Sequence, residues 1–380
     1  MNSRPLALCA GALAISFASP LYSGDLQFRL HPIAADETYE ACSVIDVNGD
    51  GKLDIVSGGW WYEAPTWKKH FVRNVEKLGV PPNWDGYSHL ELDVNADGLT
   101  DLINVNWRSR SIYWVQHPGK ELGEWKKHLV AEPGAMETGR LFDIDGDGRL
   151  DLLPRGGNFS AWWEVVPGAE PKWIRHDLPA TSSGHGGGFG DINGDGRGDI
   201  LGPNGWLEAP EDRRKGEWKW HPEFTLGGAS IPVIVADVDE DGDADLIYAL
   251  GHDYGVFWME QTKEEGKRAW KKHEVDKEWS VGHSPLWVDF DGNGRKEFVN
   301  GKRYRAHEMR DPGAADPQVM YRYEFDKAAK KFVRYEMMPK GGPAGIGLDP
   351  KAIDLDGDGD LDLVTPGRSG LYWFENLLKK

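Results

Sequence analysis

Cysteine is nearly absent. With only Cys9 and Cys42 in 380 residues, no disulfide framework can staple the chain once a leader carrying Cys9 is removed. Basic charge is the second shortage: Lys and Arg number 44 against 62 Asp and Glu, a formal net charge of −18, which speaks against nucleic acid as a partner. Long apolar runs are the third, since no stretch reaches the ~18 residues that a membrane span needs. One short apolar run stands at the start. In "MNSRPLALCAGALAISFASP", Arg4 precedes it and small residues follow, the layout of a secretory signal peptide over residues 1–24. A secreted or periplasmic monomer is expected, cleaved between Ala18 and Gly24, with residues 25–380 as one domain. Cys42 then reads as a buried small hydrophobe.

What the chain has in abundance is one acidic motif. It occurs seven times, as "DVNGDGKLD", "DVNADGLTD", "DIDGDGRLD", "DINGDGRGD", "DVDEDGDAD", "DFDGNGRKE" and "DLDGDGDLD", mostly at intervals of about fifty residues with a longer last gap, the period of a propeller blade. A short apolar strand follows each motif, then an aromatic strand such as "AWWEVVP" or "VFWMEQ", and in six repeats an outer strand such as "WKKHLV". With the strand that enters the acidic loop, this makes four strands per repeat and accounts for the 18 tryptophans as blade packing. The seventh repeat lacks its outer strand, while "LQFRLHPI" ahead of the first motif resembles one. An all-β, seven-bladed β-propeller is expected, its ring closed by the N-terminal strand.

A hard cation wants six to eight oxygens around a sharp turn, which oxygens at alternate positions and a glycine at position six provide. Positions one, three, five and nine are Asp46, Asn48, Asp50 and Asp54 in the first loop, Asp93, Asn95, Asp97 and Asp101 in the second, and Asp143, Asp145, Asp147 and Asp151 in the third. They continue as Asp191, Asn193, Asp195 and Asp199, then Asp237, Asp239, Asp241 and Asp245, Asp289, Asp291, Asn293 and Glu297, and Asp354, Asp356, Asp358 and Asp362. An EF-hand would close at position twelve, where the first loop has Ser57. The layout resembles instead the calcium loops of FG-GAP and VCBS repeat propellers. The resemblance implies several structural Ca²⁺ ions in place of disulfides, and seven would bring the formal charge from −18 to about −4.

Of the 12 histidines, His31, His70, His128, His176, His221 and His273 fall in outer strands and His117 follows an aromatic strand. His89, His185, His252, His283 and His307 remain. The position six residues before each loop lies near the axis on the opposite face, and reads Glu40, Tyr87, Glu137, His185, Ile231, His283 and Leu348. Turns such as "GHDYG" and "GKRYRAHEMRDPG" open on that face too. His185, His252 and His283 around an open position suit one Zn²⁺ or similar ion, with Glu137 as a fourth ligand. The glycines of "GHGGGFG" are expected to keep a funnel open around His185.

The runs "GHGGGFGDINGDGRGDILGPNGWLEAP", "GHDYGVFWMEQ" and "GKRYRAHEMRDPG" resemble the propeller domain of the aldos-2-ulose dehydratase family. That resemblance implies a carbon–oxygen lyase eliminating water, or a sugar substituent, from a keto-sugar. A metal there would polarise the ketone; His307 or Tyr254 would serve as base, and the other of these or His89 as acid. Lys302, Arg303 and Arg155 would hold hydroxyls or the oxyanion, and Trp60 and Trp107 would stack on sugar. The rival readings are an extracellular glycan-binding propeller without catalysis, an adhesion propeller, and a polysaccharide lyase whose arginines neutralise a uronate.

Overall fold

The computed structural model describes residues 26–79 and 83–379, so the expected signal peptide lies outside the described residues. Within them are seven four-stranded antiparallel sheets and one small hairpin. A typical blade, the third, runs Thr138–Phe142, Asp151–Arg155, Ala161–Val166 and Lys172–Asp177 from the inside out. In the seventh, Lys351–Ile353, Asp362–Thr365 and Leu371–Asn376 are completed by Phe28–Ala34, with Phe28 opposite Asn376 and Leu30 opposite Phe374. No helix among the described residues is long and apolar enough to cross a membrane.

The apolar core is seven layers rather than one. Each buried cluster joins two neighbouring blades, as Ile144, Leu153 and Trp162 of the third meet Ile200, Leu207 and Trp218 of the fourth. The layer of Cys42, Val44 and Ile55 against Val364, Leu371 and Trp373 closes the ring between first and last. Each large side chain so buried contributes roughly 1.5–3 kcal/mol. Cys42 is fully buried there.

The outer-strand histidines repeat one device. His70 stacks on Trp61 at 4.2 Å, His128 on Trp114 at 4.3 Å, His176 on Trp162 at 4.0 Å and His221 on Trp206 at 4.4 Å. His273 on Trp258 and His31 on Trp373 follow suit. The free ring edge mostly reaches an acid on the aromatic strand, as His221 does at Glu208 (2.7 Å) and His273 at Glu260 (2.6 Å), while His128 meets Gln116 at 3.0 Å.

A second recurring contact fixes each acidic loop to its blade. Asp199, fully buried, accepts the Ile192 N–H at 2.9 Å with one oxygen and the Ala209 N–H at 2.9 Å with the other. Asp54 does the same for Val47 and Ala64, and Asp101 for Val94 and His117. Position nine therefore ties the loop start to the end of the aromatic strand. The hairpin Lys77–Leu78 with Asn83–Trp84 lies outside the four-strand pattern between the first two blades, and the outer pair of the fifth blade, Tyr254–Glu264 and Lys267–Ser280, is extended.

Replacing Asp199 by Ala strands two buried N–H groups and should destabilise the protein by about 2 kcal/mol or more. The check is a lower urea midpoint at unchanged m-value; an unchanged midpoint would show that the carboxylate is dispensable.

Candidate functional site

The blade register carries Glu40, Glu137, His185 and His283 to the axis, on the face away from the acidic loops. Arg303, buried at 3% exposure, lies between the first two: its Nε donates to Glu40 Oε2 and its Nη1 to Glu137 Oε1 at 3.1 Å. Arg368 donates to the other oxygen of Glu40 at 2.8 Å. Glu137 is also approached by His185 Nε2 at 3.1 Å and His283 Nε2 at 3.3 Å. Burial alone would raise both carboxyls, yet the guanidiniums hold Glu40 down to about 2, and His185, His283 and Arg303 hold Glu137 well below the carboxylate range.

His252 and His307 complete the cluster. Their Nδ1 atoms are 3.2 Å apart, and one ligand atom each from Glu137, His252, His283 and His307 falls within 4.8 Å of the others. The four-residue set thus contains His307 where the sequence suggested His185. The reason is the turn after Arg303: Arg305, His307, Glu308 and Met309 all take left-handed backbone conformations, φ between 47° and 66°, which folds the turn back over the axis. Non-glycine residues pay about 1–2 kcal/mol each for that conformation. Asp311 holds the turned-in ring at His307 Nδ1, 2.5 Å away, and Arg368 Nη1 donates to the Arg305 carbonyl at 2.7 Å. His185 stands beside the four, its ring edge-on to His252 at 4.9 Å. Burial lowers the His252 pKa, and burial with the Arg303 charge takes His283 down to about 4. Both imidazoles are therefore neutral at physiological pH and able to ligate.

Of the other residues singled out in the sequence, one lies at the cluster and five lie elsewhere. Trp107 lines the same depression as the cluster, with Tyr87, Arg108 and Arg310. Arg155 is buried beneath the surface, donating to the Ser182 carbonyl at 2.6 Å and Ser160 Oγ at 3.1 Å. Lys302 is wholly buried on Ser280 Oγ (3.1 Å) and the Gly313 carbonyl (2.5 Å), tying down the turn. Tyr254 donates to Asp316 at 2.5 Å, which with burial raises its pKa, away from a base's role. His89 is buried and driven to about 3 by burial and by Arg73 and Lys351. Trp60 packs edge-on against Phe71. None of these five lines the depression. The glycine run also has another purpose: a Cβ on Gly187 would meet Arg155 at 2.2 Å and one on Gly188 the Val233 carbonyl at 2.4 Å, so these glycines permit close packing rather than an open funnel.

At the opposite end, the acidic loops are built of side-chain-to-backbone turns. Asp46, for example, accepts the N–H groups of Gly49 and Gly51, each at 2.8 Å. Carboxylate oxygens gather within 4.8 Å in the third, fifth and sixth loops. The third holds a cation of its own, because Arg214 reaches Asp145 and Asp147 at 2.6 Å and Glu164 at 3.1 Å.

The stretch from the second acidic loop through the third matches a known repeat. Residues 93–153 match the model of the FG-GAP-like repeat. This repeat segment contains two of the acidic loops and Glu137. No curated protein matches the chain. Among solved structures it is similar to an Agrocybe aegerita lectin recognising non-reducing terminal N-acetylglucosamine, at 16% identity and TM-score 0.49, over 93% of this chain and 90% of that one. It is also similar to the exotype rhamnogalacturonan lyase YesX, at 12% and 0.48, over 89% and 72%, and to the V. cholerae biofilm matrix protein Bap1, at 12% and 0.43, over 92% and 91%. The propeller assignment rests on the seven sheets themselves.

Asn83, Asp311 and the role of Glu40 escape a motif search. Only the His–x3–Asp spacing of His307 and Asp311 gives a signal in the sequence.

Replacing Arg303 by Met leaves Glu40 and Glu137 buried without their shared cation and should cost about 3–5 kcal/mol. The Glu40 contribution is full above its ordinary 4.5 and lost as pH falls toward about 2. Denaturation of R303M followed across that window should show a shallower loss of stability than the wild type.

Proposed function

We propose that the protein is an exported carbon–oxygen lyase acting on a keto-sugar, with a divalent metal ion held by Glu137, His252, His283 and His307. The observation that carries the reading is His283. Its ring is buried, and neither nitrogen makes a hydrogen bond of good geometry within the described residues, although Glu137 Oε1 is 3.3 Å from Nε2. A buried imidazole left unpaired is costly, and a metal ion relieves that cost. Three nitrogens and one carboxylate suit Zn²⁺ or a similar ion.

When bound, the ion supplies a Lewis acid for a ketone oxygen. The chain's own residues supply the rest. Glu137, kept ionised by His185, His283 and Arg303, orients His185, which is partly exposed in the depression and is the better placed group to take the proton from the carbon beside the ketone. The C–H electron pair becomes the new double bond as the C–O bond on the next carbon breaks, and the protonated His185 returns its proton to the leaving oxygen, giving the unsaturated ketone and water or an alcohol. Arg108 and Arg310 line the space where hydroxyls would lie, and Trp107 offers a face to a sugar ring.

We further propose the acidic loops as structural Ca²⁺ sites, the third excepted because Arg214 already neutralises it. Chelation should lower the melting temperature and added Ca²⁺ restore it, with fewer than seven ions bound; an unchanged melting temperature would remove Ca²⁺ from the account.

Elemental analysis of the purified protein beside a His252→Ala/His283→Ala variant tests the metal. About one transition-metal ion per chain, lost in the variant while calcium stays, is the expected result. Keto-sugars should then give a rising ultraviolet absorbance from the unsaturated ketone with wild type and not with His185→Ala. Calcium alone in both proteins would refute the metal-assisted mechanism, and sugar binding without turnover would favour the glycan-binding reading.

A further inference from the structure

The depression over the histidine cluster does not end there. It shares Trp107 and Arg108 with a second, which extends to Arg110 and Phe159, and shares Asn83, Glu308 and Arg368 with a third, which extends to Lys77, Trp84 and Arg305. The flanking hollows, about 460 and 480 Å³, each exceed the central one at about 260 Å³. The three form a groove across the face with the cluster at its middle, which suits a chain of sugars better than a single ring.

The charge of that groove is opposite to that of the molecule. On a chain with formal charge −18, its polar lining is dominated by guanidinium and ammonium groups. Some are spent internally: Arg303 and Arg368 on Glu40, and Arg310 on Glu308 at 2.7 Å. Lys77, Arg108, Arg110 and Arg305 are not, because among the described residues no carboxylate lies within 4.0 Å of them. Arg108, Arg110 and Arg305 are exposed. Two of the unspent cations lie toward each end of the groove, and aromatic faces are interleaved with them: Trp107, 36% exposed, beside Arg108, and Trp84 beneath Lys77 Nζ at 4.1 Å. Cations at both ends with the exposed indole of Trp107 between them suit a polyanionic sugar chain, since a ring can stack on that indole while carboxylates meet the guanidiniums. Neutral glycans would leave these charges without partners.

We propose that the groove binds an acidic oligosaccharide, a chain bearing carboxylates on successive sugars, and that the sugar presented to the histidine cluster is part of such a chain. The inference rests on the reading of this face as sugar-binding, and gives that reading its substrate class. Recognition is electrostatic at the two ends and stacking in between, so affinity falls with ionic strength.

Titration calorimetry of the full mature protein with a trigalacturonate and with a neutral trisaccharide, at low and at moderate salt, tests it. The acidic trimer should bind about tenfold or more tightly than the neutral one and weaken as salt rises. An Arg108→Gln/Arg110→Gln/Arg305→Gln variant, its fold checked by thermal melting, should lose about tenfold of that affinity, and Lys77→Gln provides a milder, independent case. Equal or tighter binding of the neutral trimer overturns the proposal, as does an unchanged affinity in the arginine variant. Tighter binding of an oligothymidylate than of either sugar overturns it in favour of nucleic acid. Tight acidic-sugar binding by a wild type that turns over no sugar refutes the lyase reading and leaves this proposal standing.

Discussion

One guanidinium sits where the blades meet. Arg303 comes from the sixth blade and neutralises Glu40 ahead of the first and Glu137 ahead of the third, so three separate repeats are locked by one buried charge. Without it, two carboxylates would be buried together at the axis, a configuration that no packing of the rings around them could offset. Everything functional on this face follows from that arrangement. Glu137 stays ionised, it draws His185 and His283 inward, and Glu40 holds Arg368, which in turn steadies the turn bearing His307.

The two faces of the propeller use acids for different purposes. On one, loop carboxylates accept backbone N–H groups, as Asp199 and Asp46 do, and in the third loop they meet Arg214. On the other, the two axial acids, Glu40 and Glu137, are matched to arginines and histidines. The molecule's acidity is thus concentrated away from the face proposed to bind substrate, which lets a chain of strongly negative net charge present a cationic groove.

Much of this was legible in the residues. The seven motifs announce the blades because a carboxylate at position nine has an obligatory partner in the backbone, so its spacing cannot drift. The axial residues could be counted out because register repeats: Glu40, Glu137, His185 and His283 lie where the count puts them. The exchange of His307 for His185 was not legible, because it depends on a run of left-handed residues with no glycine to announce it. Nor were the burial of Lys302 and Arg155, whose side chains turn inward to satisfy carbonyls, or the hairpin that supplies Asn83 and Trp84. Arg214 comes from a turn of the following blade, and nothing in the third loop itself points to it.

The pairing of Phe28–Ala34 with Leu371–Asn376 has a bearing on how the molecule comes into being. A contact such as Arg29 with Glu375 spans 346 residues, so the last blade cannot be assembled until the strand Leu371–Asn376 has been synthesised. Six blades can form in order as they are synthesised, but each is a layer waiting for its neighbour, and the ring remains an open spiral until the final strand arrives. Closure is then a single late event that engages both ends together, and it converts a chain of locally folded repeats into one cooperative body.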